Sequence, residues 1–479
     1  MSSPDQTIGA RSKDETIAAI ATPPGPGGIG IIRISGPLSL PILTRLFFPR
    51  TNKTMCSFES HRMYYGWIKD PVSGSTVDEV LAVFMQAPNS YTREDVVEIQ
   101  CHGSYLVLQE ILSLILAHGA RLAQPGEFTK RAFLNGRLDL TQAEAVLELI
   151  DARTDAARSM AIGQLQGRLH EKVAAIQESL VAMLALIEVA IDFPEDDTDI
   201  LDHASLLSQF KEKVQKPLGN LIARADEGKI FREGISVVIL GRPNVGKSSL
   251  LNTLLDEDRA LVTPIPGTTR DTIEEVVNIK GMPVRIVDTA GIRHTSETLE
   301  EMGIQRARAK LADAEMVLFV LDATANLTAE DLELYNNIKH NRKKQHILLV
   351  LNKIDIAPEI EPEHYRTALG NEAFVAVSAK LHEGIEKLTD AIYSLVTGSG
   401  KKIGWDPGAD AVPNVRHKDA LKKAKEACGR IESGLHSLVS PDLLAIDIQS
   451  ALAHLGEIVG ETTTEDVLDM IFTRFCIGK

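Results

Sequence analysis

The stretch Val237–Leu251, VVILGRPNVGKSSLL, constrains this chain more than any other. An apolar run of strand type, Val237 to Leu240, enters a turn from Gly241 to Gly246, and Lys247, Ser248 and a helix-type sequence follow. The spacing is G-x-x-x-x-G-K-[ST] with a strand before and a helix after, the context in which backbone N–H groups converge on phosphate oxygens. The positive end of the helix dipole reinforces that cradle. Gly241, Asn244, Val245, Gly246, Lys247, Ser248 and Ser249 form the phosphate-binding set, with Lys247 on the β- and γ-phosphates and Ser248 on Mg²⁺. The plain alternative, a chance Gly-rich turn, leaves the flanking strand and helix unexplained. Such a chain binds a nucleoside triphosphate.

Four more elements follow in order, three of them after apolar strands. The loop LVTPIPGTTRD carries Thr263, Thr268 and Thr269, suited to a switch whose hydroxyl and backbone meet Mg²⁺ and the γ-phosphate. VRIVDTAG ends in Asp288, placed to hold Mg²⁺ through water, and continues through Thr289 and Ala290 to Gly291, whose N–H can approach the γ-phosphate. HILLVLNKID ends at Asn352, Lys353 and Asp355: the carboxylate accepts from guanine N1–H and its exocyclic amine, Lys353 packs along the base, and Asn352 ties the loops together. AFVAVSAK places Ser378, Ala379 and Lys380 where an N–H meets guanine O6. One such element is ambiguous, since N-K-x-D alone can cap a helix; five in order read as a GTPase domain with an open, mostly parallel sheet.

The 479 residues allow two to four domains. A formal charge of −15 argues against a broad autonomous nucleic-acid surface, though a local basic patch remains compatible. Four scattered cysteines, Cys56, Cys101, Cys428 and Cys476, with no C-x-x-C pair, read as a reducing compartment without disulfides or zinc. The polar N-terminus lacks an apolar signal core, and the longest apolar stretch, Leu180–Phe193, is shorter than a membrane span and carries Glu188 and Asp192. A soluble, cytoplasmic protein with no membrane partner is expected.

Along the chain, residues 1–135 mix strand signals (Thr16–Ser35, Arg62–Ile68, Glu79–Met85, Val96–Gln100) with a helix at Tyr105–His118 ending at Gly119. This predicts a compact α+β domain. Arg33, inside an apolar run, and Glu98 stand out; the bland placement of both is the solvent side of half-buried strands. Residues 136–228 read as helical, broken by the acidic stretch PEDDTD, which is a solvated loop before it is a metal site. The GTPase block occupies 229–397, and 398–479 is a linker followed by further helix, so the nucleotide domain is inserted into a helical one.

Hydrolysis needs a group that orients water, and the position just after D-x-x-G, where a Gln can serve, is Ile292. Substitutes are Glu297, Glu300 or Glu301, although Thr298 with Glu301 is also a good capping box. A monovalent cation on Asn244 and the Thr263–Thr268 carbonyls is another route.

The chain closes on Cys476-Ile477-Gly478-Lys479, a poor prenylation box because Gly is not aliphatic and no polybasic run precedes it. Together with the inserted GTPase and the stretches TPPGPGGIGIIRISG, NSYTREDVVEIQCHG and PGEFTKRAFLNGRLDL, this ending resembles the MnmE (TrmE) family of tRNA-modifying GTPases over essentially the whole chain. The resemblance implies an N-terminal tetrahydrofolate-binding and dimerisation domain, a homodimer, and an FAD-dependent partner of the MnmG (GidA) type. The pair would install an aminomethyl-type group at C5 of wobble uridine in certain tRNAs, using 5-formyl- or methylene-tetrahydrofolate.

The same resemblance assigns folate contacts to Arg33, Glu98, Arg137 and Lys479, with Cys476 nearby. Arg137 stands where relatives often carry Lys, which keeps the charge and changes the hydrogen-bond geometry. It further assigns K⁺ to Asn244, Thr263, Ile265 and Thr268, Mg²⁺ to Ser248 and Thr269, and the water-orienting carboxylate to Glu300, with hydrolysis on K⁺-dependent pairing of two GTPase domains. An Era-like regulatory GTPase that binds RNA or ribosomes shares the nucleotide motifs but leaves the N-terminal domain and the terminal C-x-G-K unexplained.

Overall fold

In the computed structural model, the residues described are 15–23, 25–50, 57–192, 202–258, 275–288, 314–341, 345–357, 362–370, 372–398, 406 and 410–479. The chain divides into two compact units, residues 1–147 with 452–479 and residues 148–451.

The strands are β1 Ile17–Ile20, β2 Gly27–Ser35, β3 Phe47–Pro49, β4 Met63–Lys69, β5 Thr76–Met85, β6 Val96–Gly103, β7 Arg121–Leu122, β8 Ile235–Leu240, β9 Glu275–Ile279, β10 Met282–Asp288, β11 Met316–Asp322, β12 His346–Asn352 and β13 Ala373–Val377. The helices are α1 Ser39–Leu46, α2 Tyr105–Ala117, α3 Glu127–Leu134, α4 Leu140–Asp151, α5 Asp155–Leu165, α6 Arg168–Asp192, α7 His203–Phe210, α8 Lys216–Glu233, α9 Lys247–Asp258, α10 Ala329–Asn341, α11 Pro362–Leu369, α12 Ile385–Thr397, α13 Val415–Ser437, α14 Pro441–Val459 and α15 Glu465–Phe472.

The first unit is built on a seven-stranded sheet ordered β3-β4-β5-β6-β2-β1-β7, antiparallel except where β7 pairs with β1. Alternating burial along β2, β5 and β6 sends Ile32, Ile34, Ala82, Phe84, Val97 and Ile99 into one face. There they pack with Leu43, Leu46, Leu108, Ile111 and Ile115 of α1 and α2. That period-two pattern is what an antiparallel sheet covered on one side demands. The C-terminal α15 is held by Leu468, Ile471, Phe472 and Phe475 against Leu140 and Ala143. Burying each of these phenylalanines contributes about 2–3 kcal/mol.

In the second unit, a six-stranded sheet is ordered β13-β12-β11-β8-β10-β9. It is parallel except for β9, which runs antiparallel to β10. Residues 237–239, 316–320 and 347–351 are continuous buried apolar runs, the signature of parallel strands covered on both faces. The sheet's mixed character and the helical layers agree with a multidomain chain of α/β and all-α parts.

Helical periodicity from Thr141 onward resolves into three helices rather than one. Thr154 caps α5, its side chain accepting from the Ala157 N–H, and Gly167 (φ 87°) separates α5 from α6. A single π-helical turn, Lys211–Gln215, joins α7 to α8. Residues 180–192 of the apolar stretch form the end of the 25-residue α6, which holds an 18-residue window of mean hydropathy 1.8 and passes for a membrane span by length and composition alone. In this structure α6 buries Leu169, Val173, Ile176, Leu180, Met183, Ile187 and Ala190, an alternating four–three spacing that makes one packed stripe.

The hairpin β9–β10 turns through Lys280 (φ 52°) and Gly281 (φ 87°), both left-handed as a two-residue primed turn requires. A Cβ on Gly281 would lie 3.0 Å from Cβ of Ala156. Ile279 and Met282 share one core with Ala157 and Met160 of α5 and Phe231 of α8. Lys280 pairs with Asp390 of α12 and lies over the Tyr393 ring.

Candidate functional site

Strand β8 delivers the chain into the phosphate loop, and α9 begins at Lys247. Asn244 sits in the left-handed region at φ 63° and Gly246 at φ 97°, so successive loop amides turn inward. A Cβ at Gly246 would stand 2.2 Å from Nδ2 of Asn352, so the loop closes only around a glycine. The Lys247 ammonium donates to the Gly241 carbonyl at 2.9 Å and the Arg242 carbonyl at 2.6 Å. Ser248 and Ser249 lie in the first turn of α9, at its positive end. A glycine-closed cradle, a Lys held over it and a helix N-terminus with a hydroxyl fit a triphosphate with Mg²⁺ at Ser248.

The base end gathers at the carboxyl ends of β11, β12 and β13. Asn352, 3% exposed, donates to the Val245 carbonyl at 2.8 Å and accepts from the Ala379 N–H at 3.0 Å. One side chain thus staples the phosphate loop to the S-A-K segment. Lys353, left-handed at φ 72°, donates to Asp322 Oδ2 at 2.6 Å. Burial works to raise the Asp322 carboxyl, but the hydrogen bonds from Lys353 and Thr324 outweigh it and hold it below its ordinary value. Asp355 Oδ1 accepts from Ser378 Oγ at 2.8 Å, and Lys380 follows Ala379 in the same turn. Asp322 escaped the sequence reading because an aspartate ending a strand carries no motif by itself.

Thr263, Ile265, Thr268, Thr269, Thr289, Ala290, Gly291, Ile292 and Glu300 lie outside the described residues, and of Asp288 only the backbone is described. Asn244 and Ser248 are therefore the described members of the K⁺ and Mg²⁺ sets expected from sequence.

A second constellation forms in the first unit. Arg33 and Glu98 are register partners on β2 and β6, and Arg33 Nε and Nη2 both reach Glu98 Oε1 at 2.8 Å. They are 18% and 20% exposed, so the bland placement gives way to a half-buried ion pair. Arg33 also lies over the Tyr91 and Phe128 rings at 5.5 and 5.7 Å and donates to the Gly478 carbonyl at 3.4 Å. Arg137 covers Tyr91 at 4.7 Å and donates to its carbonyl at 3.3 Å.

The C-terminal residues belong to the same place: the Phe128 N–H donates to the Lys479 carbonyl at 3.2 Å, and the Lys479 N–H to the Cys476 carbonyl at 3.3 Å. Cys476 is exposed, whereas burial pushes the Cys101 and Cys428 thiols up to about 11 and about 12. Tyr91 is the member missed from sequence. Its ring contacts two guanidiniums and its hydroxyl bonds Thr129 at 2.9 Å. An aromatic inside a polar stretch such as NSYTRED was the available signal. Arginines, a carboxylate and aromatic faces suit a planar heteroaromatic ligand that carries hydrogen-bond donors and carboxylates.

Comparison with known proteins extends over nearly the whole chain. A family described as the MnmE helical domain matches residues 140–476, and one described as the GTP-binding protein TrmE N-terminus matches residues 16–137. A tRNA modification GTPase MnmE from Desulfotalea psychrophila is 50% identical over 470 residues, 97% of this chain and 98% of its own length. Its namesake from Geobacter sulfurreducens is 47% identical over 466 residues, covering 97% and 99%. Among solved structures, the G domain of the T. maritima FeoB iron transporter is 30% identical over 33% of this chain and 97% of its own, with a TM-score of 0.26. Era in complex with MgGDPNP and a segment of 16S ribosomal RNA is 27% identical over 40% and 66%, with a TM-score of 0.28.

Proposed function

The chain belongs to the MnmE family of tRNA modification GTPases, and from that premise we propose that it couples GTP hydrolysis to a folate-dependent modification of tRNA. GTP with Mg²⁺ is its nucleotide and tRNA its substrate class. In our reading it acts in the cytoplasm as a homodimer with an FAD-dependent protein of the MnmG (GidA) type. Together they would add an aminomethyl-type (carboxymethylaminomethyl) group at C5 of wobble uridine.

The observation that carries this reading is the second constellation: Arg33 and Arg137 share the Tyr91 ring, and Glu98 and the Gly478 carbonyl meet on Arg33, far in sequence from the nucleotide motifs. A GTPase that only switches has no use for it. In the proposal, Arg33 and Arg137 take carboxylate or carbonyl oxygens, Glu98 accepts from the amine face of a pterin, and Tyr91 and Phe128 wall the ring. A tetrahydrofolate bound there supplies the one-carbon unit.

At the nucleotide, Lys247 holds the phosphates, Asp355 selects guanine, and Glu300 orients water in place of the residue that Ile292 cannot be. Mg²⁺ on Ser248 and Thr269, and K⁺ on Asn244, Thr263, Ile265 and Thr268, would neutralise charge that builds on the phosphates.

Calorimetric titration of the protein with 5-formyltetrahydrofolate, repeated on Arg33→Ala, tests the reading. Saturable binding near one site per chain, weakened by the substitution, supports it. No binding by a folded protein that still binds GTP would leave the Era-like switch as the better account.

A further inference from the structure

Arg242 is the one charged side chain of the phosphate loop to which neither the loop pattern nor the nucleotide gives a task. Its Nε donates to Asp331 Oδ1 at 2.7 Å, and Asp331 is 1% exposed. The other carboxylate oxygen is already committed: Asp331 Oδ2 accepts from the Thr328 N–H at 3.0 Å and from its hydroxyl at 2.9 Å. The Asp331 N–H donates back to Thr328 Oγ1 at 3.3 Å. This reciprocal pair is the capping box of α10, so the helix fixes the carboxylate before Arg242 meets it.

The backbone of Arg242 has a second duty. Its carbonyl and that of Gly241 receive the Lys247 ammonium. A lysine is a point charge on a flexible four-carbon stem, and the acceptors of its N–H groups set its direction. Clamping the guanidinium of Arg242 restrains the carbonyl of the same residue. A path of contacts therefore runs from the α10 cap through Asp331 and Arg242 to Lys247.

We propose that Arg242 is a positioning residue for GTP turnover: held by Asp331 in the α10 capping box, it fixes the loop carbonyls that aim Lys247 at the triphosphate. Arg242 need not touch the nucleotide. Its effect falls on kcat, because a misaimed ammonium stabilises the charge of the transition state less well.

The test is steady-state GTP hydrolysis by the full chain, with thermal melting of each variant. Arg242→Ala should lower kcat by about 10- to 100-fold, since small misplacements of a positioned charge carry penalties of that order. Arg242→Lys, which keeps a cation for Asp331, should recover part of the loss. Asp331→Asn should reproduce the Arg242→Ala defect, and the double variant should be no worse than either, because both break one path. Tyr335→Phe removes a buried hydrogen bond to the Leu369 carbonyl from the same helix. It should lower Tm and leave kcat and KM unchanged.

Wild-type kcat in Arg242→Ala would overturn the proposal. So would a kcat loss no larger than the fraction of protein unfolded, or multiplicative losses in the double variant, for then the pair only holds the fold.

Discussion

Gly246 and Asn352 share one space: a methyl on the glycine would stand 2.2 Å from the asparagine's amide nitrogen. That nitrogen is engaged with the Val245 carbonyl at 2.8 Å, so it has nowhere to retreat without opening a buried hydrogen bond. The phosphate end and the base end of the nucleotide site are thereby one construction.

Gly246→Ala combines this collision with a left-handed backbone (φ 97°), together a strain of roughly 1–3 kcal/mol or more. Asn352→Ala leaves the Val245 carbonyl and Ala379 N–H without their partner, at about 1–3 kcal/mol each. Titration with a fluorescent GDP should show affinity falling at least about tenfold in both. Wild-type affinity in Gly246→Ala would disprove the shared-space account.

Arg131 is 2% exposed and bonds Glu94 at 3.0 Å, Glu127 at 3.1 Å and the Glu15 carbonyl at 2.8 Å. Burial works to raise the Glu127 carboxyl, yet Arg121, the Gln124 N–H and Arg131 hold it below its ordinary value. Arg131→Ala leaves Glu94 with the Ser35 hydroxyl and Glu127 with Arg121 and the Gln124 N–H, and should destabilise the protein by about 1.5–3 kcal/mol. Chemical denaturation reads this directly, and a change under about 1 kcal/mol would contradict it.

Tyr91→Leu removes both ring–guanidinium contacts and the hydroxyl bond to Thr129. Each cation–π contact is worth about 0.5–1 kcal/mol and orients a guanidinium of the proposed folate site, so binding of 5-formyltetrahydrofolate should weaken by up to roughly tenfold with GTP hydrolysis unaffected. Calorimetry on this variant decides whether the ring is part of the binding wall or merely packing.

His102 and Asp78 supply a pH dependence. The hydrogen bond that the His102 ring donates to Asp78, then the carboxylate's charge, raises the exposed imidazole above 6.5. A raised histidine contributes stability that is fully present below the ordinary value and fades as pH climbs through the raised one. NMR titration of Asp78→Asn should bring the His102 midpoint down toward 6.5. An unmoved midpoint would show that the carboxylate has no hold on the ring.

Much of the fold was legible because the nucleotide sheet announces itself twice, through continuous apolar strands and through motifs at their ends. Val237, Met316 and His346 each open a segment whose pattern dictates a buried parallel strand. The first unit was partly legible: β2, β4, β5, β6 and α2 follow from alternation and from the Gly119 stop. The short α1, β3 and α3 carry too few residues for a period to register. What sequence could not give was pairing across distance. Arg33 and Glu98 are 65 positions apart and meet only because β2 and β6 are neighbours, and Arg242 meets Asp331 across 89. The break of one helical stretch at Thr154 and Gly167 was readable in principle from the cap and the glycine. It was overridden by unbroken apolar spacing on either side.

The hairpin β9–β10 has its turn seated among Ala156, Phe231 and Asp390, while its other ends run on into the residues that carry the threonine loop and the D-T-A-G element. The hairpin is the edge of the six-stranded sheet, since β10 is hydrogen-bonded to β8 along its other side. Its turn therefore pins that edge of the sheet to three helices at once, α5 through Ala156, α8 through Phe231 and α12 through Asp390.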